Sequence, residues 1–190
     1  MSISTQFDQA LHYATWIHAG QKRKGTDIPY IAHILGVVSI ALEHGANETE
    51  AIGALLHDAG EDAGGEGRIE DIRRRFGAAV ADIVDGCTDT VEFPKPPWKE
   101  RKQKYIDHVA SASSSVILVS AADKLHNARA ILSDFRELGD DLWSRFKGGK
   151  EGTIWYYREL VNAFRKTGDT PLLRELDAVV KQIEEMAGEG

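Results

Sequence analysis

The string His57-Asp58-x-x-Glu61-Asp62 sets four ionisable side chains within six residues. If the stretch is helical, residues four apart stack, so His57 meets Glu61 and Asp58 meets Asp62 along one edge. The residues before it, Ala51, Ile52, Ala54, Leu55 and Leu56, are apolar, so that edge runs into a buried face. Three carboxylates at the margin of a core repel one another and lose hydration unless protons or a cation compensate. A divalent metal supplies that compensation, but it needs ligands from elsewhere in the chain. Two polar residues stand where packing alone would place apolar ones. His33 lies beside Ile31, Ile34 and Val37, and Asp123 ends the largely apolar run Val116 to Ala122. Two imidazoles and two carboxylates form a mixed nitrogen and oxygen set suited to Mn²⁺, Fe²⁺ or Zn²⁺ rather than to a thiolate-preferring ion. On a six-coordinate ion, four protein ligands leave positions for water and a phosphate oxygen, which is the arrangement of metal-assisted hydrolysis. A lone His-Asp dipeptide, or one Asp in an apolar helix, is more often structural; the joint occurrence points to a site.

The elements that must position these residues read as helices. Phe7, Leu11, Ala14 and Ile17 recur at helical spacing after Ser4-Thr5, predicting a helix to about Ala19 ended by Gly20. A loop carrying Lys22 to Pro29 leads to a second helix from Tyr30–His33 through Val38 and Leu42 to His44-Gly45. Asn47 with Glu50 predicts an N-cap for a third, running through Ile52 and Leu56 towards Glu61, with Gly64 to Gly67 breaking it. Ile69, Ile72 and Phe76 predict a short helix closed by Gly77, and Ala78 to Val84 another. Pro94 to Pro97 reads as a stiff loop. Val116 to Leu132 and Thr153 to Arg165, with Trp155 and Leu160 as inward candidates, are the long later segments. Thr170 as N-cap and Pro171 as first residue predict a last helix to Met186. The one strand candidate, VILVS at 116–120, has no partner of similar character, so an all-α bundle is expected.

A chain of 190 residues, 42 % hydrophobic and 28 % charged, is expected to be one domain spanning 1–190. No apolar run approaches the roughly 20 residues that cross a bilayer, and the N-terminus shows no basic and apolar leader, so a cytoplasmic location away from membranes is expected. The single Cys87 reads as a small buried apolar residue. A net charge of −7 argues against a nucleic acid polymer as partner, because such binding needs a basic surface. It leaves a small anion open, given positive charge in Lys22 to Lys24, Lys99 to Lys104 and Arg145 to Lys150. The second and third of these runs are expected to be solvated faces. His12, His18, His44 and His108 read as surface or helix-end residues, with His18 able to brace the basic loop. Trp155, Tyr156 and Tyr157 read as core aromatics, with stacking on a purine as the lesser reading. Nothing in the sequence decides whether the chain forms a homo-oligomer.

Four motifs carry a family resemblance: HAGQKRKG at 18–25, PYIAH at 29–33, ALLHDAGED at 54–62 and ADKLHNAR at 122–129. With these, the chain resembles the HD-domain phosphohydrolases, and within them the RelA/SpoT-type alarmone hydrolases, especially their small single-domain members. The resemblance covers about residues 5–165, leaving a C-terminal helix at about 170–187 outside it. It implies an all-α HD-domain bundle and Mn²⁺-dependent removal of the 3′-pyrophosphate of guanosine tetra- or pentaphosphate, with Fe²⁺, Zn²⁺ or Mg²⁺ as other metals. By it, His33, His57, Asp58 and Asp123 match metal ligands, and Glu61 and Asp62 match the pair that positions and activates water. Arg23, Lys24 and Asn127 match residues at the nucleotide. The chain departs from the family pattern at Ile34, where Pro is usual, at His126, where Tyr is common, and at Gly25-Thr26-Asp27, where an acidic start is usual. Two other readings stand beside this one: hydrolysis of another nucleotide, such as a 2′- or 3′-phosphorylated dinucleotide, and a nucleotide-binding module without turnover.

Overall fold

The computed structural model describes residues 3–188 except 63 and 93, and the side chain of Asp62 also lies outside the described residues. The elements are helices α1 (Thr5–Ile17), α2 (Ile31–Glu43), α3 (Glu48–Leu56), α4 (Ala59–Asp62), α5 (Gly65–Phe76), α6 (Ala78–Cys87), α7 (Trp98–Val109), α8 (Ser114–Leu138), α9 (Gly149–Arg165) and α10 (Pro171–Gly188). A 3₁₀ segment, Gly139–Arg145, joins α8 to α9. Among the described residues the only extended pairing is an antiparallel bridge between Lys22 and Pro29, which closes the base of the basic loop.

Side chains set several helix starts, as their sequence types require. Ser4 Oγ accepts from the Gln6 amide at 3.1 Å, Ser113 Oγ from Val116 at 3.3 Å, and Thr170 Oγ1 from Leu173 at 3.3 Å. Asn47 and Glu50 cap each other reciprocally, Oδ1 accepting from Glu50 N at 3.0 Å and Glu50 Oε2 from Asn47 N at 2.8 Å. A single cluster of buried apolar residues runs from Ala10 to Ala187. The long helix α8 packs against α2, α3, α6, α9 and α10, so a residue at its middle sits at the centre of the bundle. The segment 116–120, the strand candidate, forms the first turns of α8 with Val116, Ile117 and Val119 buried.

Two elements differ from the sequence expectation. The helix expected from Asn47 through Glu61 is two helices, broken at His57-Asp58. The His57 imidazole takes the Ala54 carbonyl at 2.8 Å, the acceptor that the Asp58 amide would use if α3 continued. His57 and Glu61 therefore do not share one continuous helix. Helix α7 was not expected, because KERKQK hides the apolar face of Tyr105, Ile106 and Val109. The glycine run interrupts the helix as expected, with Gly64 at a positive φ capping α5, which starts at Gly65.

Candidate metal centre and its cavity

Three helical elements bring the sequence-selected His and Asp residues together. His33 comes from the first turn of α2, His57 and Asp58 from the break between α3 and α4, and Asp123 from the middle of α8. His33, His57 and Asp123 are buried. His33 Nε2 lies 3.5 Å from Asp58 Oδ2 and 3.3 Å from Asp123 Oδ1; His57 Nε2 lies 3.1 and 3.7 Å from the same two atoms. The donor atoms of His33, His57 and Asp58 all fall within 4.8 Å of one another. Two ligand atoms each about 2.1 Å from one ion are about 3.0 Å apart at a right angle and about 3.4 Å apart at the tetrahedral angle. The spacings of 3.1 and 3.3 Å fall in that range, and those of 3.5 and 3.7 Å exceed it by 0.1–0.3 Å.

The donor chemistry fits a cation as well. His57 Nδ1 faces a backbone carbonyl, which can only accept, so Nδ1 carries a proton and, in the neutral ring, Nε2 presents a lone pair. That buried Nε2 has no hydrogen-bond partner among the described residues, yet two carboxylates face it. A lone pair aimed at carboxylates is repulsive until a proton or a metal stands between them. Burial works against a charge on His57, but Asp58 and Asp123 outweigh it and hold the ring well above its ordinary pKa. Burial likewise opposes ionisation of Asp58 and Asp123; His57 in the first case and Lys124 in the second overcome it and hold both carboxyls well below the usual range.

A second set of side chains holds the first in place. Tyr30 Oη donates to Asp58 Oδ2 at 2.5 Å. Asp123 accepts from Lys124 Nζ at 2.5 Å and from Asn127 Nδ2 at 2.6 Å, and Asn127 Oδ1 accepts from Arg23 Nη2 at 3.1 Å. His33 Nδ1 meets His126 Nδ1 at 2.9 Å. Burial, with His33 and Arg23 nearby, pushes His126 down to about 4, so its ring is neutral at neutral pH. Sequence reasoning named Arg23 and Asn127 but missed Tyr30, Lys124 and the contact made by His126. Tyr30 and Lys124 lie inside the quoted motifs, each next to or three residues from a selected residue, and that adjacency was the available signal.

Tyr30, Lys124 and Asn127 also line a cavity of about 500 Å³. Its wall carries eight cationic residues: Arg23 and Lys24 from the loop after α1, Lys95, Arg101 and Lys102 from the region of α7, Lys124, and Arg145 and Lys147 before α9. Among the described residues two acids, Glu61 and Asp134, share that wall. The runs at 99–104 and 145–150, expected to be solvated faces, each turn two cations into this cavity. Glu61 is held there by Lys95, 2.8 Å from its Oε1, with Arg101 Nη1 at 3.8 Å. Asp62, the other residue of that expected pair, has its side chain outside the described residues. Tyr156 and Tyr157 are buried and line the cavity, as does Trp98, whereas Trp155 is half-buried and packs edge-on against Trp98. His18, expected at the surface or a helix end, caps α1 but is buried, and its Nδ1 reaches Gln21 Oε1 at 2.7 Å at the foot of the basic loop. Cys87 is buried, and burial pushes its thiol up to about 11.

A match to the HD domain spans residues 10–154. The chain belongs to the HD domain family. The human protein named guanosine-3′,5′-bis(diphosphate) 3′-pyrophosphohydrolase MESH1 is 33 % identical over 150 residues, which are 77 % of this chain and 78 % of that protein. A GTP pyrophosphokinase of Streptomyces coelicolor is 39 % identical over 132 residues, 68 % of this chain. The match spans only 15 % of the length of that protein and of its Streptomyces antibioticus counterpart. In three dimensions the HD domain fold superposes on a metazoan ortholog of SpoT, described as hydrolysing ppGpp, with a TM-score of 0.78 and 26 % identity, covering 96 % of this chain and 97 % of the other. Among the described residues no helix is long and apolar enough to cross a membrane.

Proposed function

We propose that this protein is a divalent-metal-dependent hydrolase that removes the 3′-pyrophosphate of guanosine tetra- and pentaphosphate. The observation that carries the reading is a His/Asp cluster whose hydrogen-bond partners Tyr30, Lys124 and Asn127 line a cavity where, among the described residues, basic side chains outnumber acids eight to two. The substrate named by MESH1 supports it, since two diphosphates on one nucleoside are the kind of multiply charged small anion that such a wall attracts. His33, His57, Asp58 and Asp123 would hold the ion, with Mn²⁺ as the metal the family resemblance implies and Fe²⁺, Zn²⁺ or Mg²⁺ as alternatives for a mixed nitrogen and oxygen set. When bound, the ion supplies charge neutralisation at the phosphoryl group and a lowered pKa for water.

The chain's own residues do the rest. Tyr30, Lys124 and Asn127 fix the two aspartates through the hydrogen bonds given above. Arg23 and Lys24 engage the nucleotide, Arg23 by bidentate contact with phosphate or by stacking, Lys24 as a point charge. Glu61, with Asp62, orients water and accepts its proton. The water oxygen bonds to the phosphorus carried by the ribose 3′ oxygen, the bond between that phosphorus and the 3′ oxygen breaks, the 3′ oxygen takes up a proton, and pyrophosphate leaves. The partner is thus a small nucleotide, with no membrane and no nucleic acid polymer involved, and the reaction belongs to the cytoplasm.

The test is to incubate Mn²⁺-loaded protein with guanosine tetraphosphate beside a panel of 2′- and 3′-phosphorylated dinucleotides. Equimolar GDP and pyrophosphate are expected. Absence of pyrophosphate release overturns the reading, and equal turnover across the panel overturns its guanine nucleotide specificity.

A further inference from the structure

His33 and His126 meet through their Nδ1 atoms, 2.9 Å apart, one on α2 and the other on α8. Such a bond requires one nitrogen to carry a proton and the other to be bare. His33 Nε2 faces Asp58 Oδ2 and Asp123 Oδ1, so a metal held there needs that nitrogen bare. The single proton of the neutral His33 ring then sits on Nδ1, and His126 Nδ1 accepts it. The His126 ring is placed by an unusual neighbour. A Cβ on Gly36 would lie 2.2 Å from His126 Cδ2, 2.3 Å from its Nε2 and 3.3 Å from its Cγ, and these are its three nearest atoms. Gly36 does not have a positive φ, so the helix alone does not call for glycine there. What calls for it is the imidazole pressed onto the backbone of α2, one turn beyond His33.

We propose that His126 and Gly36 form a positioning device for the metal centre: the His126 ring accepts the Nδ1 proton of His33 and thereby points a bare Nε2 at the cation, and Gly36 is the slot that seats the ring. This rests on the metal-centre reading above. Partners that orient a ligating imidazole typically change metal affinity by about 10- to 100-fold when removed.

The test is titration of metal-free protein with Mn²⁺, alongside thermal unfolding of the metal-free form. His126→Phe keeps a ring but has no acceptor, and is expected to weaken Mn²⁺ binding about 10- to 100-fold. His126→Asn, whose Oδ1 stands near the position of Nδ1, is expected to regain most of that loss. Gly36→Ala is expected to weaken binding in the wild-type background and to add nothing in a His126→Ala background, where the clashing ring is gone. In the Zn²⁺-loaded protein, ¹⁵N spectra are expected to show His126 protonated at Nε2 and bare at Nδ1. Unchanged affinity in His126→Phe, an equal cost of Gly36→Ala in both backgrounds, or a proton on His126 Nδ1 overturns the proposal. Should His126→Phe fail to fold, the Gly36 pair and the spectra decide. Failure of the wild-type protein to bind Mn²⁺ at all would instead bring down the metal-centre reading.

Discussion

Gly53→Ala tests whether helix contact distances in this bundle govern both stability and the metal centre. Gly53 is buried on α3, one turn before His57, and α3 packs there against α6. In an exposed helix, replacing glycine by alanine gains up to about 1 kcal/mol. Here a Cβ would stand 2.7 Å from Ile83 Cγ2 and 3.2 Å from its Cβ, against an ordinary contact of 3.4 Å. The gap must open by about 0.7 Å, and Ile83 cannot swing clear because a β-branched side chain in a helix has one strongly preferred rotamer. Overpacking of this kind costs about 1–3 kcal/mol, and contact with the stem of the side chain places it towards the upper end. The net expectation is a loss of about 1–2 kcal/mol, or a Tm lower by roughly 2–8 °C for a chain of this size. Metal affinity should fall as well, since a shift of that size exceeds the roughly 0.2 Å tolerance of ligand distances. Gly67→Ala is the matched control. It lies on α5 with nothing within 4 Å of its would-be Cβ and no positive φ, so it should raise Tm by roughly 1–4 °C. Thermal unfolding monitored by circular dichroism reads both variants. If Gly53→Ala proves as stabilising as Gly67→Ala, the contact argument is wrong.

Glu61→Gln should cut kcat at least about 100-fold while leaving Mn²⁺ binding and Tm intact, and steady-state kinetics with a metal titration separate the two effects. Chelation should abolish turnover and lower Tm, with Mn²⁺ restoring both; at 100 times its Kd the ion adds about 2.7 kcal/mol to stability, readable by scanning calorimetry. Arg23→Gln should raise KM more than it lowers kcat, and raising salt should raise wild-type KM more steeply than that of the variant, since one screened cation is missing. Asp177, buried between α9 and α10, pairs with Arg158 at 2.6 Å, Lys181 at 2.9 Å and Arg165 at 3.1 Å. Burial raises its pKa, but these partners outweigh burial and hold its carboxyl below the usual range. Asp177→Asn should cost about 1 kcal/mol, a modest value because the cations are partly hydrated. Since the folded pKa is depressed, that difference should be full above about pH 4 and close as pH falls further, which urea unfolding across pH can follow.

Much of the bundle was legible because each cue was local. Asn47 with Glu50, Thr170 with Pro171, and the periodic apolar residues of α1 and α2 each act within a turn or two. His33 and Asp123 could be singled out because they are polar residues in apolar surroundings, and burial bears that contrast out. What stayed hidden depended on distant partners. The end of α3 at His57 follows from a side chain capturing the Ala54 carbonyl, which periodicity does not report. Helix α7 was masked because Arg101 and Lys102 lie on its cavity side rather than in solvent, so charge overrode the apolar face. Gly36 read as an ordinary weak helix residue until the ring of a residue 90 positions later was seen lying against it.

The uneven placement of charge has a consequence for which molecules approach. Among the described residues eight basic side chains and two acids line the cavity, while the whole chain carries −7, so the rest of the chain is on balance acidic. A long polyanion must spread over that negative rind, whose repulsion grows with every segment laid down. A nucleotide small enough to enter about 500 Å³ leaves the rind behind and meets the attractive interior. The charge pattern thereby favours small anions over long ones at the cavity.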